Sequence, residues 1–93
     1  MEFSIKNLHE LDSTAKTKFY QNLVNQLQGT RAQIENDDVL NRYSQYLSNP
    51  LQDDTIIDNL YSALTAGIQA GSGNQTLYLE VLKIITESWK TIQ

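Results

Sequence analysis

The sequence predicts an all-α protein, an antiparallel four-helix bundle built as one domain over residues 1–93. Three observations carry that expectation. Apolar residues recur at spacings of three and four through most of the chain, which is the repeat of an amphipathic helix face. Polar capping residues and glycines punctuate the ends of those stretches. The densest stretch, Thr55 to Gln93, sets two strongly apolar patterns on either side of Gly71-Ser72-Gly73, the sequence form of a helical hairpin.

Composition narrows the classes. Apolar residues are 40% of the 93 and charged residues 19%, too apolar and too weakly charged for a disordered chain. No apolar run approaches the roughly 20 residues that span a bilayer. The start MEFSIKNLHEL lacks the basic head and apolar core of a signal peptide. A cytoplasmic protein without direct membrane insertion is therefore expected. With no cysteine, disulfides, thiol catalysis and thiolate metal sites are excluded. The net charge is -4, and Glu35, Asp37, Asp38, Asp53, Asp54 and Asp58 crowd the middle against Arg42. Such a surface repels phosphate backbones, which argues against nucleic acid as a partner. It reads as a solvated acidic rim.

Residues 2–12 allow two readings. Ile5, Leu8 and Leu11 at spacing three suit a short helix, whereas Phe3 and Ile5 alone would suit an extended arm. Asp12-Ser13-Thr14 then offers cap acceptors. The first long helix is expected from Ser13 to Gln28, with Ala15, Phe19, Leu23, Val24 and Leu27 inward and Lys16, Lys18, Asn22 and Gln26 outward. Gly29 stands where a helix commonly ends in a left-handed residue. Thr30 followed by Gln33 is a capping-box pattern, so a helix can begin at Thr30. The apolar spacing over residues 34–39 skips core positions, however. Asn36-Asp37-Asp38 is itself a cap with acids in the first turn. The packed part of helix two is accordingly expected over Asp37 to Ser48, with Val39 or Leu40, Tyr43, Tyr46 and Leu47 inside, and Asn49-Pro50 as its stop.

Helix three starts at the cap cluster Asp53-Asp54-Thr55. Ile57, Leu60, Tyr61, Leu64 and Ile68 form its inner stripe, and Ile56 widens it. Ala63, Ala66, Gly67 and Ala70 are small enough to let a neighbour approach. Gly67 gives up roughly 1 kcal/mol of helix propensity relative to alanine, which close packing can offset. Helix four is expected over Gln75 to Thr91 with Asn74 as cap. Leu77, Tyr78, Val81, Leu82, Ile85, Trp89 and Ile92 fill a broad stripe, and Leu79 and Ile84 extend it. A helix this apolar is either the most central or presents a patch to a partner. If Leu79 and Ile84 are exposed, a homodimer would cover them.

Chemistry finds little support. His9 is the one histidine, and Glu10 beside it points elsewhere on a helix, so it reads as a solvated surface residue. No serine lies in a G-x-S-x-G setting. The pairs Asp37-Asp38 and Asp53-Asp54 lack the alternating pattern of a calcium loop and read as caps. Gly71-Ser72-Gly73 lacks the lysine of a phosphate loop. Asn74-Gln75-Thr76 matches the glycosylation pattern, which has no use in a chain that is not exported. No enzyme activity, cofactor or metal is expected. Tyr43, Tyr46 and Tyr61 read as core or half-buried residues with the hydroxyl at the rim. Trp89 reads first as core packing, with a partner contact as the alternative.

The pattern of four helices over residues 15–88 resembles the bacteriocin immunity proteins of the enterocin A and mundticin type. KTKFYQNLVNQLQG is similar to the first amphipathic helix of that family, DDVLNRYSQYL to the second and TIIDNLYSALTAGI to the third. GNQTLYLEVLKIITES is similar to the leucine-rich fourth. The chain departs from several basic members in being acidic, and it lacks a long charged tail after the last helix. The resemblance implies an antiparallel four-helix bundle that protects a Gram-positive cell from a pore-forming class IIa bacteriocin. It implies action inside the cell, at the inner face of the membrane, on a mannose phosphotransferase permease with bound bacteriocin. It places specificity in the C-terminal half, here helix four and its end, which makes Lys83, Trp89 and Lys90 the surface candidates for partner binding and Tyr78 a weaker one. A small helical interaction module with no catalytic activity is the alternative.

Overall fold

Side-chain caps decide where most of the helices begin. The computed structural model describes residues 2–47 and 53–93, with the side chains of Tyr46 and Leu47 outside that set. Ser4 accepts from the Asn7 backbone N–H and opens α1, Ile5–Glu10. Asp12 accepts from Ala15 N at 2.8 Å and opens α2, Ser13–Leu27. Asp53 accepts from Thr55 N and opens α4, Asp54–Ala70. Asn74 accepts from Leu77 N and opens α5, Gln75–Thr91. Each cap satisfies one of the backbone donors a helix start leaves unpaired. Among the described residues the secondary structure is entirely helical.

The middle of the chain differs from expectation. Gly29 is not left-handed; Gly71 and Gly73 are the positive-φ residues among those described. The chain instead passes from α2 through a 3₁₀ turn, Gln28–Thr30, into the short α3, Arg31–Glu35. Thr30 precedes α3 but forms no side-chain cap bond; its hydroxyl donates back to the Leu27 carbonyl at 3.1 Å. The expected α-helix over Asp37 to Ser48 is a 3₁₀ helix over Leu40–Leu47. Asp37 starts it by accepting from Val39 N and Leu40 N at 3.0 and 2.9 Å. Leu40, Tyr43 and Tyr46 lie three apart, the repeat of a 3₁₀ helix. Leu40 is buried and Tyr43 half-buried, while Val39 is exposed. Ser48 and the Asn49-Pro50 stop lie outside the described residues, as do the side chains of Tyr46 and Leu47.

The core forms where α5 lies against both α2 and α4. Phe19, Leu23 and Leu27 from α2, Ile57, Leu60 and Leu64 from α4, and Leu77, Val81, Ile84, Ile85 and Trp89 from α5 make one buried cluster. Leu8 of α1, Ile34 of α3 and Leu40 join it. The radius of gyration of 12.5 Å is near the roughly 12 Å of a compact chain of this length. α4 ends on Gly71 at φ 65°. Ser72 N reaches Gly67 O and Gly71 N reaches Ile68 O, both at 3.2 Å. This pair of bonds is the Schellman closure, which needs a left-handed residue at that position. Beyond the joint, the Tyr78 ring lies over Gly67, where a Cβ would come within 2.8 Å of it.

Candidate functional site

The structure separates the four residues that the resemblance brought together. Trp89 is 1% exposed and Tyr78 3%, so neither presents a contact surface, and their expected place among the surface candidates is corrected. Trp89 packs edge-on to Phe19 at 5.8 Å and to Phe3 at 5.6 Å. Burial first, then the charges of Asp37 and Asp38, pushes the Tyr78 phenol above its usual range. Lys83 and Lys90 stand exposed on the outer side of α5 with Glu80 and Glu87. That outer side carries mixed charge and one exposed large apolar residue, Leu79 at 53%. Ile84 is buried, so the two-residue apolar patch that would call for a homodimer is absent. α5 is the central helix, not a presented apolar face.

A different cluster appears at the start of α4. Asp54 is one of two buried polar residues among those described, the other being Ser88. Tyr20 Oη donates to its Oδ1 at 2.8 Å, and Lys16 Nζ donates to its Oδ2 at 2.9 Å. His9 Nδ1 lies 2.6 Å from the same Oδ2. Burial pushes the Asp54 carboxyl up. The hydrogen bonds from Lys16 and Tyr20, with the charges of Lys16 and His9, outweigh this and hold it below the usual carboxylate range. Burial and the bond to Asp54 push the Tyr20 phenol well above its ordinary value. The expected pairing of Asp53 with Asp54 as caps thus holds for Asp53 alone. Asp54 instead ties α4 to α1 and α2. His9, read as a free surface residue, is exposed but engaged.

No known protein family, curated protein or solved structure matches the chain. Its site must therefore be read from its own residues. The Asp54 cluster holds one carboxylate and three groups that face it, the Tyr20 hydroxyl, the Lys16 ammonium and the His9 imidazole. A charge so fully hydrogen-bonded is held in place rather than poised to react. Among the described residues no group of three or more His, Cys, Asp or Glu is placed to hold a metal ion. Among them, too, no helix is long and apolar enough to cross a membrane. Sequence reasoning missed Tyr20, which flanks the apolar stripe of α2. The one local signal was Lys16 and Tyr20 standing a turn apart on α2. Their shared partner lies 38 and 34 residues away, beyond any local pattern.

Proposed function

We propose that the protein is a non-enzymatic immunity protein that protects a Gram-positive cell from a pore-forming class IIa bacteriocin. Its target is a mannose phosphotransferase permease carrying the bacteriocin, met from the cytoplasmic side. The observation that carries this reading is the order of four amphipathic segments ending in a tight helical hairpin. In that reading the chain counts as an antiparallel four-helix bundle, with α3 and the following 3₁₀ helix together as the second member. The contact surface is the outer side of α5 around Lys83 and Lys90. Trp89 and Tyr78 act beneath it by fixing the helix. Expression in a bacteriocin-sensitive strain tests the proposal: survival against at least one class IIa bacteriocin is expected, and unchanged killing by all of them overturns it.

One observation favours a second reading, a helical interaction module. An open groove of about 410 Å³ lies between the 3₁₀ helix and α4, lined by Arg42, Tyr43, Ile56, Asn59 and Ala63. Its mixed apolar and polar lining suits an amphipathic helix of a soluble partner. Recovery of such a partner by affinity capture, lost in Tyr43→Ala, would favour this module over the immunity protein.

A further inference from the structure

The N-terminal segment is attached differently from the rest of the molecule. α1 is six residues long, too short to be stable on its own. The backbone hydrogen bonds found in residues 2–11 close within the segment: Leu8 N to Ser4 O at 2.9 Å and Leu11 N to Leu8 O at 3.2 Å. What holds it to the body is side chains. Leu8 is fully buried. Phe3 sits in a socket formed by Phe19 of α2, Tyr61 of α4 and Trp89 of α5, with ring centroids 5.8, 5.0 and 5.6 Å away. His9 closes the far end on Asp54.

We propose that residues 2–11 are a releasable strap, and that its release opens the Phe19–Tyr61–Trp89 socket while the body stays folded. The Asp54 cluster makes this separable. When the strap leaves, Asp54 loses His9 but keeps Lys16 and Tyr20, both from α2, so no buried charge is left unpaired. His9 itself is 59% exposed and returns to water readily. The core of α2, α4 and α5 does not depend on the strap for backbone bonding. Release therefore belongs to the local openings that lie below global unfolding. The inference does not depend on the immunity reading.

Amide hydrogen exchange in the full chain tests it, with Leu8 and Leu11 reporting the strap and Ile85 and Trp89 reporting the body. Leu8 and Leu11 should exchange at least about tenfold faster than the α5 amides, as a local opening requires. His9→Ala removes a single contact to Asp54 made by a side chain that is itself exposed, so strap exchange should rise about two- to fivefold with the α5 amides unchanged. Phe3→Ala removes three aromatic contacts and should raise strap exchange at least about tenfold. It should also make Trp89, the one tryptophan, more open to acrylamide quenching. Strap and α5 amides that exchange together in the wild type and in His9→Ala would overturn the proposal. So would strap exchange that neither variant changes. If Phe3→Ala unfolds the whole chain, the mild His9→Ala variant still decides.

Discussion

Asp54 is the residue at which three helices meet, and its chemistry sets how the fold responds to mutation and to acid. Replacing it with alanine removes the acceptor for Tyr20 and Lys16 together. Lys16 can still reach water, so the loss is that of charge-assisted hydrogen bonds, about 1.5–3 kcal/mol. Urea unfolding should report it as a lower midpoint with an unchanged slope. Tyr20→Phe removes one donor from a carboxylate that keeps two others, and should lose about 0.5–1.5 kcal/mol. The pH dependence has a definite sign. Asp54 is held below the usual carboxylate range in the folded state, so its contribution is complete above the unfolded value near pH ~4. It is lost as the pH falls through the lowered folded value. The stability gap between wild type and Asp54→Asn should therefore be present at neutral pH and close in acid below about pH 4. A gap that persists unchanged to strongly acidic pH would contradict the role given to this carboxylate.

At the level of elements, what the sequence made legible followed from local rules. α5 runs from Gln75 to Thr91 on an Asn74 cap, as cap and apolar spacing together require. α2 and α4 likewise begin at their acidic caps. What was not legible turned on backbone choices that local composition leaves open. Asp37 caps a 3₁₀ helix by the same carboxylate-to-amide bonds that would start an α-helix, and only the unbroken spacing of three distinguishes the two. Gly29 looks like a left-handed terminator, yet it lies inside the 3₁₀ turn Gln28–Thr30 that joins α2 to α3, without a positive φ. Gly67 looks like a weak point in a helix, yet the Tyr78 ring fills its place. These two glycines should answer oppositely to one substitution. Gly29→Ala meets nothing within 4 Å and should stabilise by about 0.4–1 kcal/mol, by restricting the unfolded chain. Gly67→Ala drives a methyl into a buried ring at 2.8 Å. Its overpacking should cost about 1–3 kcal/mol, more than the roughly 1 kcal/mol of propensity it gains. Thermal denaturation of the two variants side by side checks the opposite signs.

Across the whole molecule, the buried residues that carry stability and the exposed lysines lie on opposite sides of α5, so mutations can separate stability from any contact made there. Trp89 sits inside, in contact with aromatic side chains from the strap and α2. Truncating such a residue costs about 3–5 kcal/mol, a large share of the roughly 5–15 kcal/mol that holds a small domain together. Loss of activity in Trp89→Ala would therefore report loss of fold and say nothing of contact. Lys83 and Lys90 lie on the exposed side, where substitutions usually stay within about 0.5 kcal/mol. The paired variant Lys83→Ala/Lys90→Ala should keep the wild-type melting temperature within a few degrees. If the outer side of α5 is the contact surface, the same variant should protect a sensitive strain measurably less than wild type at equal expression. Melting and protection measured on the same variant make the test decisive. Unchanged melting with lost protection assigns recognition to this side of α5. Unchanged melting with full protection moves recognition elsewhere, and the groove at Tyr43 and Ile56 is then the next surface to mutate.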